Sequence, residues 1–205
     1  MIKNFFAHLI SIVFQPLLMP LYGAFYIVYA NPFSFPDDYE NFMLLLRVGL
    51  LTFFFPAVAV GLMVALKFVS TISLRDRMER VVPYIATMAM YIWAFFVFYQ
   101  NDFNSVVTFI ILAACISIFL AFMINILILK ISMHTTGAGG MVAMFMLLIP
   151  YSQYNPMWIF LSAIVVAGAI GTARLTLKAH TTKEVYYGYL NGFFSFMLAY
   201  NIFQF

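Results

Sequence analysis

Charge is what this sequence has least of. Only 8% of its 205 residues are Asp, Glu, Lys or Arg, against 65% apolar and 20% aromatic. A soluble domain carries about a quarter charged residues, so this chain has too few to cover a surface facing water. The scarcity excludes a soluble globular protein and implies an integral membrane protein. Acidic residues are scarcer still, seven in all. They form no carboxylate cluster suited to magnesium, and no metal or other cofactor is expected. There is one cysteine, Cys115, inside an apolar run, which excludes an internal disulfide framework or a cysteine metal cluster. No internal repeat, low-complexity tract or separate soluble domain interrupts the chain. Residues 1–205 therefore read as one membrane domain, with the lipid bilayer as its main partner, no nucleic-acid partner, and nothing that specifies an oligomeric state.

What is there, in quantity, is long apolar runs. A membrane-crossing helix needs about 20 mostly apolar residues. By that measure spans fall at 5–29, 42–66, 82–100, 106–129, 133–150, 157–174 and 184–203, an all-α polytopic bundle of six to seven spans. The first run is too long and too aromatic for a signal-peptide core of roughly 7 to 15 residues, and is expected to be retained. Pro16, Pro20 and Pro56 predict kinks, because each removes a backbone donor. Pro83 falls in a first helical turn, where proline costs little, and Pro150 and Pro156 bracket a polar loop at 151–155. Gly168 and Gly171 predict a close helix approach in the sixth span. His8 reads as a helix–helix hydrogen bond, and Tyr186, Tyr187 and Tyr189 as an interfacial aromatic belt.

The few charges are not evenly spread. With the N-terminus on side A, that side receives Lys3, Lys67, Arg75, Arg77, Arg80, Lys130, Arg174, Lys178 and Lys183. Only Arg47 lies toward side B, with Asp37, Asp38, Glu40 and Asp102. The positive-inside rule makes side A cytoplasmic, a count that weakens if several of these cations are there to hold an anion.

Three polar segments share side A: residues 73–83, residues 130–140 and residues 174–184. His180 and Glu184 are four residues apart, so on a helix they lie one turn apart on one face. A carboxylate there can accept from one imidazole nitrogen and leave the other free to attack. His134 opens another helix two residues after Ser132 and is placed to protonate a leaving oxygen. Guanidinium forks match phosphate oxygens, so Arg174, Arg75, Arg77 and Arg80, with Lys130 and Ser132, form a candidate phosphate site. Gly137, Gly139 and Gly140 would offer backbone N–H groups at a helix N-terminus to an anion.

These residues carry a family resemblance. Arg174, five residues, His180, three residues and Glu184 resemble the third signature, R-x5-H-x3-D, of the type-2 phosphatidate phosphatase (vanadium haloperoxidase-like) superfamily, with glutamate for aspartate. Ile131-Ser132-Met133-His134 is similar to its second signature, P-S-G-H. Its first, K-x6-R-P, is matched loosely by Arg75 eight residues before Pro83, with Val82 at the arginine position and Arg77 and Arg80 nearby. The resemblance covers roughly residues 75 to 190 and is to a divergent, Bacteroidetes-like integral membrane member. It implies a metal-independent phosphatase acting on a lipid phosphate or diphosphate: phosphatidate, phosphatidylglycerol phosphate or polyprenyl diphosphate. His180 would be the nucleophile forming a phosphohistidine, Glu184 its orienter and His134 the general acid. Arg174, Ser132 and the arginines of 75–80 would hold the phosphate. The implied location is the bacterial inner membrane.

Plainer readings stand beside these. His180 with Glu184 is also a common helix-surface pair, His134 an ordinary helix start, and Arg75, Arg77 and Arg80 an ordinary positive-inside loop; Lys178 and Lys183 take that last reading. Alternative functions on the same cationic face are non-catalytic binding or transport of an anionic lipid, and phosphate transfer to a second lipid. Haem ligation by His134 and His180 is disfavoured, since both lie among arginines at span ends. The joint occurrence of the groups on one face favours the phosphatase.

Overall fold

The computed structural model describes residues 2–30, 37–68, 77–151 and 157–203. The described chain is an all-α helical bundle without strands: α1 (Ile2–Val13), α2 (Met19–Ala30), α3 (Asp38–Val48), α4 (Phe55–Ala65), α5 (Val81–Asn101), α6 (Ser105–Leu127), α7 (Met133–Leu148), α8 (Met157–Thr176) and α9 (Thr182–Ile202). Five stretches are long and apolar enough to cross a membrane: Ile2–Tyr29, Asp38–Ala65, Met78–Asn101, Ser105–Leu127 and Met157–Thr176. These long apolar helices make the chain a polytopic integral membrane protein. Two further helices stand outside the five. α7 is shorter, at 16 residues, and α9 carries Lys183, Glu184, Asn191 and Asn201 along its length.

Prolines and caps explain where these helices break. Pro16 opens a single 3-10 turn, Pro16–Leu18, which separates α1 from α2. Pro56 sits at the start of α4, and the backbone ahead of it widens into a π turn over Gly49–Phe54. Such a turn absorbs the donor that proline lacks. The Tyr91 hydroxyl on α5 donates to the Thr52 carbonyl in that turn at 2.9 Å. Asn104 caps α6 by accepting from the Val107 N–H at 3.0 Å, and Ser132 caps α7 through the Thr135 N–H. Thr181 and Glu184 form a reciprocal capping box at the start of α9, which satisfies two otherwise orphaned donors. The polar loop expected at 151–155 lies almost wholly outside the described residues.

α6 and α7 form the centre of the bundle, with α9 laid against both, α8 against α7, α5 against α6, and α1 against α8. The approach of α7 to α9 is set by missing side chains. A Cβ on Gly192 would land on the Thr136 carbonyl oxygen, one on Gly139 on the Tyr189 carbonyl, and one on Gly188 on the Thr135 hydroxyl. Only glycine lets the two backbones come this close. The expectation for α8 is half met. Gly171 faces the Tyr189 ring, whereas a Cβ on Gly168 would meet nothing. Tyr189 also leaves the expected aromatic belt, because its hydroxyl turns inward to the Ala167 carbonyl. Tyr186 and Tyr187 remain exposed, and so does His8, which no neighbouring helix engages through a hydrogen bond.

Candidate active site

The α7–α9 contact brings two helix N-termini together. The Ser132 N–H donates to the Glu184 carbonyl at 3.2 Å, and the Thr135 hydroxyl donates to the Ser132 or Val185 carbonyl, 3.0 Å from each. This stitch sets His134, at the first turn of α7, beside His180, just before α9. His180 stands in the connection between α8 and α9 and not on a helix, so the expected one-turn helical pair is made differently. The loop turns back through Lys178, which has a left-handed φ of 50°. It delivers the imidazole onto the capping-box glutamate, with Nδ1 2.7 Å from Glu184 Oε2. A carboxylate only accepts, so Nδ1 carries the proton and Nε2 holds the free lone pair. The same carboxylate oxygen accepts from the Thr181 N–H at 3.3 Å and lies 3.9 Å from Lys130 Nζ.

His180 is buried outside the spanning helices. Burial, and then the charges of Arg80, Lys130 and Arg174 and the nearby His134, push its imidazole down from 6.5 to about 2. Desolvation penalises the imidazolium and the surrounding cations repel it. The ring is therefore neutral near pH 7, the state a nitrogen nucleophile requires.

Four of the expected residues line one cavity of about 450 Å³: Arg80, His134, Arg174 and His180. His134 Nε2 lies 3.1 Å from the Ser11 carbonyl of α1. A carbonyl cannot donate, so Nε2 carries the proton and Nδ1 is the nitrogen left for a ligand. Arg174 Nη1 donates to the Ser11 hydroxyl at 3.2 Å, while its buried Nε has no hydrogen-bond partner. No carboxylate of the described residues pairs with Arg174. Arg80 is 7% exposed and donates to the Ile131 carbonyl at 3.0 Å. Two guanidinium groups at one end of a largely apolar cavity suit an anion, because their forked donors match its oxygens.

The other expected residues take different places. Arg77 turns to the C-terminal end of α6, where it donates to the carbonyls of Asn125, Ile126 and Ile128. Asn125 returns a bond to the Arg77 carbonyl at 3.0 Å. Arg77 thus caps orphaned helix carbonyls and does not line the cavity. Ser132 is fully buried, with its hydroxyl serving as the α7 cap. Lys130 reaches the Ala179 carbonyl at 3.4 Å and steadies the His180 loop from behind. Arg75 lies outside the described residues. Of the three glycines expected to cradle an anion, Gly137 lines the cavity, whereas Gly139 and Gly140 face the Tyr189 backbone and the Phe196 ring. Ser11 is the group that sequence reasoning missed. Its hydroxyl also back-bonds to the Ala7 carbonyl at 2.9 Å, as serines in apolar helices commonly do, so the sequence carried no signal for it.

Below this polar end the cavity continues between helices. Its walls are Pro16, Leu17 and Met19, then Ala57, Val60 and Gly61 of α4, with Tyr91, Ile110, Met141 and Met144 deeper in. The cavity thus has a cationic end and an apolar end.

Comparison with known proteins bears on the C-terminal part of the chain, which carries α7 to α9. The family model of the PAP2 superfamily matches residues 128–205. No curated protein and no solved structure matches the chain. The matched stretch holds both cavity histidines, Arg174 and Glu184, in the arrangement described above, so over residues 128–205 this chain is similar to the PAP2 superfamily.

Proposed function

We propose that this protein is a lipid phosphatase of the bacterial inner membrane that hydrolyses a lipid phosphate or diphosphate through a phosphohistidine. The superfamily supports phosphatase activity on phosphate esters. The observation that carries the finer reading is the cavity in which a neutral, carboxylate-oriented imidazole meets two guanidinium groups at the head of an apolar slot. His180 Nε2 attacks phosphorus, an N–P bond forms as the ester P–O bond breaks, and Glu184 accepts the hydrogen bond of the growing imidazolium. Arg80 and Arg174 take the charge on the phosphoryl oxygens, where phosphoryl transfer needs it most. His134, protonated in the presence of the anionic substrate, gives its Nδ1 proton to the leaving oxygen. Water then attacks the phosphohistidine and gives a proton to His134 Nδ1 as the N–P bond breaks, releasing inorganic phosphate and restoring both histidines.

The test uses purified protein with phosphatidate and with polyprenyl diphosphate, in the presence of a chelator, beside His180→Ala. Phosphate release is expected with both reagents present and is lost in the variant. Release that persists in His180→Ala overturns the nucleophile assignment. Binding without release by the intact protein points instead to lipid binding or transport.

A further inference from the structure

We propose that the cavity is a slot for a hydrocarbon chain of about a dozen carbons, floored by Met144 and Ile110, so that those two side chains select substrate length. The inference rests on the phosphatase reading for its headgroup chemistry. It adds the substrate class: a phosphate amphiphile whose hydrocarbon chain of limited length lies inside the protein.

The slot's length follows from the helices that line it. His134 and Met144 both line the cavity on α7; ten residues at 1.5 Å rise put them about 15 Å apart along the axis. Arg80 and Tyr91 give about 16 Å on the neighbouring wall by the same rise. A 1.52 Å bond at a tetrahedral angle advances about 1.25 Å per carbon, which makes about 15 Å a dozen carbons.

The floor is built, not incidental. Met144 and Ile110 are each 1% exposed. A Cβ on Gly23 of α2 would stand 2.9 Å from Met144 Sδ and 3.0 Å from Ile110 Cδ1. The missing side chain lets both floor residues lie against the α2 backbone. One helical turn farther on, Ile27, Val106 and Leu148 are fully buried, so packed core backs the floor. At the opposite end are Arg80, His134, Arg174 and His180. Cations at the head and hydrocarbon at the floor specify which way an amphiphile lies.

The experiment offers purified protein a series of monoalkyl phosphates from octyl to octadecyl. All are held at equal mole fraction in nonionic detergent, and phosphate release is read as relative kcat/KM. The wild type is expected to peak near the dodecyl chain and to fall about threefold or more at either end, since short chains leave unfilled wall and long ones must buckle. Met144→Ala removes three heavy atoms from the floor and is expected to move the peak longer by about three carbons. Ile110→Val, a milder cut that guards against loss of fold, moves it in the same direction by less. A flat profile, or one with the same peak in wild type and both variants, overturns the slot. If the wild type releases phosphate from none of these compounds, the phosphatase reading fails. The slot is then judged by thermal shift with the same series: a maximum that moves with Met144→Ala upholds it, and a shift indifferent to chain length overturns it.

Discussion

Glu184 has two duties that one substitution can separate. It completes the Thr181 capping box and it holds His180 Nδ1. Glutamine serves equally well at that capping position but cannot anchor a growing imidazolium with charge. Glu184→Gln is therefore expected to keep thermal stability within about 1 kcal/mol while lowering kcat by about 10²-fold, read by melting temperature and phosphate release on the same preparation. The sequence spacing foretold this pair, although the loop position of His180 was invisible in it, because a four-residue separation fits a helix as readily as a turn leading into a cap. His180 also makes a prediction about pH. Its imidazole is held below the ordinary 6.5, so the unfolded chain takes up a proton that the folded one refuses. Nothing is lost above pH 6.5, and stability falls as pH drops below it, by up to about 1.4 kcal/mol per pH unit. The melting temperature of the protein in detergent is expected to decline between about pH 6.5 and pH 5, and His180→Gln to reduce that slope.

At the scale of elements, the site depends on how closely α7 lies on α9. Gly192→Ala would drive a methyl into the Thr136 carbonyl and the Gly140 N–H. Such overpacking against backbone is expected to cost about 3 kcal/mol or more and to part His134 from His180. Gly168→Ala, with open space around it, is expected to be neutral or to stabilise α8 by up to about 1 kcal/mol. The melting temperatures of the two variants, side by side, check this. The arginines divide in the same spirit. Arg174→Ala is expected to raise KM by about tenfold or more, because a guanidinium in the cavity is removed. Arg77→Ala uncaps α6 and is expected to lower the melting temperature more than it lowers kcat/KM. Charge type and spacing offered all of these arginines as equals, and only the direction each side chain takes tells them apart.

For the whole molecule, the charge asymmetry remains the guide to orientation. With Arg75, Arg77, Arg80, Arg174 and Lys130 set aside as candidate anion ligands, Lys3, Lys67, Lys178 and Lys183 still lie on side A, against Arg47 on side B. By the positive-inside rule, that bias predicts a site on the cytoplasmic face. The buried Cys115 gives little background, so Lys178→Cys is expected to resist a membrane-impermeant thiol reagent in intact cells and to react after lysis. Labelling in intact cells would place the site on the outer face.

By itself the sequence determined that the chain lives in a membrane, because 8% charge cannot cover a water-facing surface. It also determined where most helices run, because apolar length and proline position are local properties. The His180–Glu184 pair and the order of His134, Arg174 and His180 along the chain were legible for the same reason. Tertiary structure alone decided which cations share a cavity, that Ser11 of α1 binds both His134 and Arg174, and that Arg77 belongs to α6. It also decided that hydrocarbon space continues below the polar end as far as Met144 and Ile110. These depend on contacts between residues far apart in the chain, among them Ser11 and Arg174, and no local pattern encodes such contacts.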